Sequence, residues 1–174
     1  MINFAANLTM LFNEHDFLHR FAAASAAGFT GVEYLFPYDY EAEILAHHLQ
    51  RHELQQVLHN LPAGNWAAGE RGIACIPGRE GEFQDGVERA ISYAKTLQCP
   101  QLNCLVGIAP ADADPDKVRA VLIDNLRFAA RALAAENLKL LVEPINTYDI
   151  PGFYLNRTQQ TLDLFDEIGE ANLW

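Results

Sequence analysis

Lys139-Leu140-Leu141-Val142-Glu143-Pro144-Ile145-Asn146-Thr147-Tyr148-Asp149-Ile150-Pro151-Gly152-Phe153 is the stretch on which the fold reading turns. Mostly aliphatic residues run into a carboxylate, and Pro144 pushes Glu143 toward an extended conformation, so a strand ends there. Two prolines then restrict the shape of a loop. Beyond it Leu162, Phe165 and Ile168 fall on one side of a helix that stops near Gly169. The stretch is therefore one βα unit.

Working outward, the same alternation recurs upstream. Gln101 to Val106 reads as a strand, followed by a helix that starts at Asp114-Pro115, an N-cap with proline at the first helical position, and carries Val118, Val121, Leu122, Leu126, Ala129 and Leu133. Before it, Gln55 to His59 is a strand, then a long glycine-containing loop, then a helix with the stripe Phe83, Val87, Ala90, Ala94 and Leu97. Gly31 to Leu35 precedes a helix from about Tyr40 to His52 with Ile44, Leu45 and Leu49 facing inward. Phe4 to Leu8 precedes a helix from Asp16 to Ala27, with Phe17, Phe21 and Ala24 on one face and Gly28 as its C′ residue. Five units are complete, and Ala171-Asn172-Leu173-Trp174 stands where a sixth strand is due. Sequential βα units build either an open doubly wound sheet or a barrel, and periodicity alone does not choose between them. A complete barrel needs eight units and typically ~250 residues.

At 174 residues, half of them hydrophobic and a fifth charged, the chain buries a substantial core as one domain spanning residues 1–174. Its 12 Lys and Arg against 23 Asp and Glu leave a net charge of −11, which repels phosphate backbones and argues against nucleic acid as a partner. No apolar run approaches the ~20 residues of a membrane span and the N-terminus lacks a basic leader, so the expectation is a cytoplasmic protein. Cys75, Cys99 and Cys104 are too few and odd in number for a disulfide framework and read as small buried hydrophobes. Asn7-Leu8-Thr9 and Asn156-Arg157-Thr158 match the glycosylation sequon by chance if no secretion occurs.

Glu143 is the candidate for the chemistry. In parallel βα folds the carboxyl ends of strands form the active face, where a carboxylate serves as general base or as a ligand to a hard cation; the alternative is a solvated loop residue. Asp149 lies six residues on in the same loop.

At Glu143-Pro144-Ile145-Asn146 and Asp149-Ile150-Pro151-Gly152-Phe153 the sequence resembles the hydroxypyruvate isomerases, within the broader xylose-isomerase-like barrel superfamily. A second, longer match runs from Leu58-His59-Asn60-Leu61-Pro62-Ala63-Gly64-Asn65-Trp66 through Glu70-Arg71-Gly72-Ile73-Ala74-Cys75-Ile76-Pro77-Gly78-Arg79. Ala6-Asn7-Leu8, Phe36-Pro37-Tyr38-Asp39-Tyr40 and Asn103-Cys104-Leu105-Val106-Gly107 extend it over essentially the whole chain.

The resemblance implies an α/β fold of the (β/α)8 TIM-barrel type, of which about the first five units are present and strands six to eight are lacking. It implies interconversion of hydroxypyruvate and tartronate semialdehyde by proton transfer through an enediolate, with Glu143 as catalytic residue. It also implies a divalent metal, Mg or Mn, held by Glu143 together with ligands from the later strands. Asp149 then either contacts substrate hydroxyls or is a turn residue, and His59 either touches substrate or is a hydrogen-bonded wall residue. Arg71, and after it Arg79, are candidates for the substrate carboxylate, against the alternative of ion pairs with Glu70 or Glu80. Glu33 supports the site from behind. The competing readings are a ketose 3-epimerase or related sugar isomerase, and an inactive truncated fragment. The expected partner is a small hydroxy-keto acid, with a homo-oligomer allowed.

Overall fold

The computed structural model describes residues 2–174. Its strands are β1 (Ala5–Asn7), β2 (Gly31–Glu33), β3 (Gln55–Asn60), β4 (Gln101–Cys104) and β5 (Lys139–Val142). Its helices are α1 (Phe17–Ala26), α2 (Ala42–Arg51), α3 (Glu80–Leu97), α4 (Pro115–Ala135) and α5 (Thr158–Ile168). All five strands are parallel and lie in chain order β1-β2-β3-β4-β5. A doubly wound sheet reverses its strand order at a switch point; this one does not, which selects the barrel alternative.

Local chemistry accounts for the element ends. Asp114 caps α4 by accepting the Asp116 N–H at 3.0 Å, with Pro115 at the first turn. Gly28, at φ 89°, ends α1: its N–H reaches Ser25 O at 2.9 Å and the Phe29 N–H returns to Ala24 O at 3.1 Å. Two helical stripes differ from the sequence reading. In α2, Ile44 is 44% exposed and Ala42, Leu45 and Leu49 face the core; in α5, Leu162 is 48% exposed and Thr161, Leu164 and Ile168 are buried. Both helices pack on a single sheet face and neighbouring helices, so their apolar stripe is narrower than the count of apolar residues suggests.

The main core lies between the sheet and the helices. Ala6, Val32, Leu102 and Leu140 from the strands meet Phe21, Leu45, Val87, Leu122 and Leu164 from the helices, all buried. Cys75, Cys99 and Cys104 are buried there as free thiols, and burial pushes Cys75 and Cys99 up to about 12.

The opposite sheet face is the inner face of the barrel wall. Ala5, Gly31 and Val57 share it, since a Cβ on Gly31 would lie 3.4 Å from Val57 Cγ1 and 3.5 Å from Ala5 Cβ. One expectation is corrected at the sheet edge: the sixth strand is not wholly lacking. Strand β5 is not a bare edge, because Leu173 pairs with Leu140 in parallel register, the Val142 N–H donates to Trp174 O at 2.9 Å and the Trp174 N–H to Leu140 O at 2.9 Å. Residues 172–174 thus begin the sixth strand at the position the sequence pattern assigns to it. The β1 edge is uncovered, with Ile2, Phe4 and Met10 exposed by 80%, 73% and 65%. An open edge beside apolar surface templates association. The isolated 174-residue chain is therefore expected to self-associate, and light scattering showing a monodisperse monomer would contradict this.

Candidate active site

The site grows from strand register. On the inner face Asn7 pairs with Glu33, Asn60 with Asn103, and Asn103 with Leu141, which puts Glu143 one layer above, just past β5. Together with Leu58, Pro144 and Trp174 these residues line a cavity of about 500 Å³ at the carboxyl ends of the strands. A somewhat larger hollow of about 600 Å³ lies between α2 and α3 at the opposite end, lined by Glu43, His47, Leu54 and Gln98. The cavity at the carboxyl ends is the candidate active site, because parallel barrels gather their loops and polar strand ends there.

Inside it the polar groups are ordered by hydrogen bonds. Asn7 Nδ2 donates to Glu33 Oε1 at 3.0 Å, while Asn103 Nδ2 donates to Asn60 Oδ1 at 3.0 Å and to Glu143 Oε2 at 3.4 Å. The Tyr38 hydroxyl donates to Asn60 O at 2.6 Å, tying the end of β3 to the loop after β2. Two carboxylates, Glu33 and Glu143, face three carboxamides, with no Lys, Arg or His among the lining residues. Glu143 is exposed on the open side of the wall, whereas Asn60 and Asn103 are buried.

The structure brings only Glu143 of the four expected site residues to this cavity. His59 is turned to the helix side, 0% exposed, its ring edge-on to Tyr38 and its Nδ1 3.3 Å from Gln56 Nε2. The cause is a β-bulge. Strands β2 and β3 pair Val32 with Gln56 but Glu33 with Leu58, so one extra residue flips the parity of the later β3 positions and gives the inner position to Asn60. Burial holds the His59 imidazole neutral by pushing it down from 6.5 to about 4. The unfolded chain therefore binds this proton more readily, so stability conferred by the neutral ring above pH 6.5 is lost as pH falls toward about 4. Urea midpoints at pH 7 and pH 4.5 are expected to differ, and to differ less in His59→Leu.

Arg71 packs against the loop after β3. Its guanidinium stands 4.1 Å from the Trp66 ring centroid, and Nη1 donates to Trp66 O at 3.1 Å and Glu70 O at 2.8 Å. Trp66 in turn lies edge-on to Phe36 at 5.1 Å. The Nε and Nη2 donors of Arg71 have no hydrogen-bond partner among the described residues. Arg79 is committed elsewhere: it pairs with Glu70 and, at 2.6 Å, with Glu82, and its guanidinium, with the Asn65 N–H, holds the Glu70 carboxyl below its usual range. Asp149 takes the turn alternative. It is exposed, and Asn146 Nδ2 donates to its Oδ2 at 2.7 Å while Asn146 Oδ1 accepts the Tyr148 and Asp149 N–H groups, each at 2.9 Å.

Asn7, Asn60 and Asn103 received no role from the sequence. The readable signal is a carboxamide at or next to the end of three strands, on the same end of the sheet as Glu143. As for a metal, among the described residues no group of three or more His, Cys, Asp or Glu comes together, and Glu143 and Glu33 are the carboxylates that line the cavity.

Residues 21–174 match the protein family described as Xylose isomerase-like TIM barrel. The chain is 57% identical over 99% of its length to hydroxypyruvate isomerase of Escherichia coli and 49% identical over 99% to 2-oxo-tetronate isomerase of Cupriavidus necator. It spans about two thirds of each, 67% and 66%. A crystal structure described as AP endonuclease, family 2, from Brucella melitensis superposes with a TM-score of 0.96 at 45% identity, over 99% of this chain and 67% of that one.

Proposed function

The chain belongs to the xylose isomerase-like TIM barrel family, and from that premise we propose that it is the part of a cytoplasmic hydroxypyruvate isomerase that carries the proton-transferring Glu143. The observation behind this is a carboxylate at the end of β5, in a carboxamide-lined cavity on the active face, in a chain similar to isomerases of hydroxypyruvate and 2-oxo-tetronate. The net charge of −11 argues against DNA as the substrate, whatever the description of the Brucella structure.

The reaction moves two protons and no net electrons. Glu143 takes the proton from C3, the hydroxyl-bearing carbon of hydroxypyruvate; the electron pair of that C–H bond forms the enediolate. A proton is then returned to C2, and the hydroxyl proton passes from the C3 oxygen to the C2 oxygen, giving tartronate semialdehyde. Asn60 and Asn103 hold the cavity wall in a fixed arrangement beside the reacting carboxylate. A divalent cation, Mg or Mn, belongs to the same proposal, with Glu143 as one oxygen ligand and the others from outside these five units. The ketose 3-epimerase reading is the weaker, since the relatives at 57% and 49% identity are named for isomerisation.

The test uses the 174-residue chain mixed with a polypeptide covering the C-terminal third of the E. coli relative, with the E. coli protein split at the same point as control. Conversion of hydroxypyruvate, faster than of free ketohexoses, is the expected result. Where the control pair is active, a hydroxypyruvate-silent mixture overturns the reading.

Arg71 remains our candidate for the substrate carboxylate, because two of its donors are unspent and its loop borders the active face. In the reconstituted barrel Arg71→Ala is expected to raise KM for hydroxypyruvate by roughly 10-fold, as loss of a charge-assisted hydrogen bond does, with less effect on a neutral analogue. Equal losses on both compounds would make Arg71 a loop residue, holding Trp66 alone.

A further inference from the structure

We propose that Asn103 is a positioning residue for Glu143, its carboxamide locked in one orientation by Asn60. This rests on the reading of Glu143 as the proton-transferring group. Asn103 Nδ2 spends one hydrogen on Asn60 Oδ1 at 3.0 Å and aims the other at Glu143 Oε2 at 3.4 Å. Both amides are fixed: Asn103 is 5% and Asn60 3% exposed, their residues pair across β3 and β4, and hydrogen bonds from Tyr38 Oη to Asn60 O and from Leu61 N to Asn103 O hold the strand ends.

The orientation of the pair has one consistent solution. An ionised carboxylate only accepts, so Asn103 must present nitrogen to Glu143. That same nitrogen faces Asn60, so Asn60 must present oxygen. Turning Asn60 alone would set two donors against each other, and turning both would set Asn103 Oδ1 against the carboxylate. The solution leaves Asn60 Nδ2 buried without a partner. An unpaired buried donor is costly, and here it is the remainder of an arrangement dictated from Glu143 rather than optimised for stability. The relay ends by restraining Oε2, while Oε1 accepts no hydrogen bond among the described residues and is the oxygen left to receive the proton.

Two measurements examine this. In the 174-residue chain, Asn103→Leu and Glu143→Leu form a thermal double-mutant cycle. The melting shift caused by Asn103→Leu is expected to be smaller once Glu143 is Leu, what remains being the lost bond to Asn60; additive shifts would show that the two side chains do not interact and would overturn the proposal. In the reconstituted barrel, the isosteric Asn103→Asp replaces the donor by an acceptor without changing volume. Its kcat is expected to fall roughly 10–100-fold with KM within about 3-fold, the usual scale for groups that orient a reacting ligand. A parallel Glu143→Gln separates the two readings: if Glu143→Gln is silent and Asn103→Asp turns over normally, the relay fails alone, and if Glu143→Gln is active the underlying assignment fails.

Discussion

In the reconstituted barrel, Glu143→Gln is expected to keep the fold and most of the substrate affinity while losing roughly 10²-fold or more of the turnover rate. Glutamine has nearly the same volume, and its carbonyl oxygen accepts the Asn103 hydrogen bond that Glu143 Oε2 accepts, so the wall of the cavity is undisturbed. What it cannot do is take a proton from carbon. The loss should therefore appear in kcat, with KM little changed, because the missing interaction is made only as the C–H bond breaks. Turnover near the parent rate at saturating substrate would remove Glu143 from the proton transfer and weaken its assignment as a metal ligand as well.

Gly72→Ala is expected to be strongly damaging for folding. At φ +116° Gly72 occupies a conformation that L residues rarely adopt, which costs roughly 1–3 kcal/mol. A Cβ there would also run into the Leu105 carbonyl and stand 2.8 Å from Gly107 N, adding roughly 1–3 kcal/mol of overpacking. Neither neighbour is a flexible side-chain end. Gly72 forms an antiparallel bridge with Val106, and the Cys75 N–H donates to Val106 O at 3.0 Å, so the loop bearing Arg71 is fastened backbone to backbone onto the end of β4. Against a typical total of about 5–15 kcal/mol the combined cost is large. Gly69→Ala is the control, since Gly69 has φ +95° but open space around it and should show the conformational cost alone. Chemical denaturation of both variants measures the difference; equal midpoints would mean that the Gly72–Leu105 junction yields without cost.

Much of the molecule was written locally. The helix α4 follows from its cap, its proline and its stripe, and β5 from four residues stopped by Glu143-Pro144, because capping, proline geometry and periodicity act over a few residues. The short range of these effects also explains the errors in α2 and α5. Which apolar residues of an amphipathic helix are covered depends on the angle at which it meets the sheet, and Ile44 and Leu162 lie just outside the contact.

The sequence by itself determined the five βα units, their order and the placing of Glu143 at the end of the fifth strand, while the pairing of residues 172–174 with β5 came from the structure. Only the tertiary structure decided between a barrel wall and a doubly wound sheet, because strand order is set by which edges meet. It alone turned His59 into the core and gave its inner position to Asn60, since the extra residue between the Val32–Gln56 and Glu33–Leu58 pairs exists only relative to the neighbouring strand. It likewise laid Arg71 on Trp66, tied Asp149 to Asn146, committed Arg79 to Glu70 and Glu82, and set Asn103 between Asn60 and Glu143. A side chain's type and spacing state what it is able to do, whereas what it touches is fixed by chain segments that are distant in sequence and packed together by the burial of the sheet against its helices.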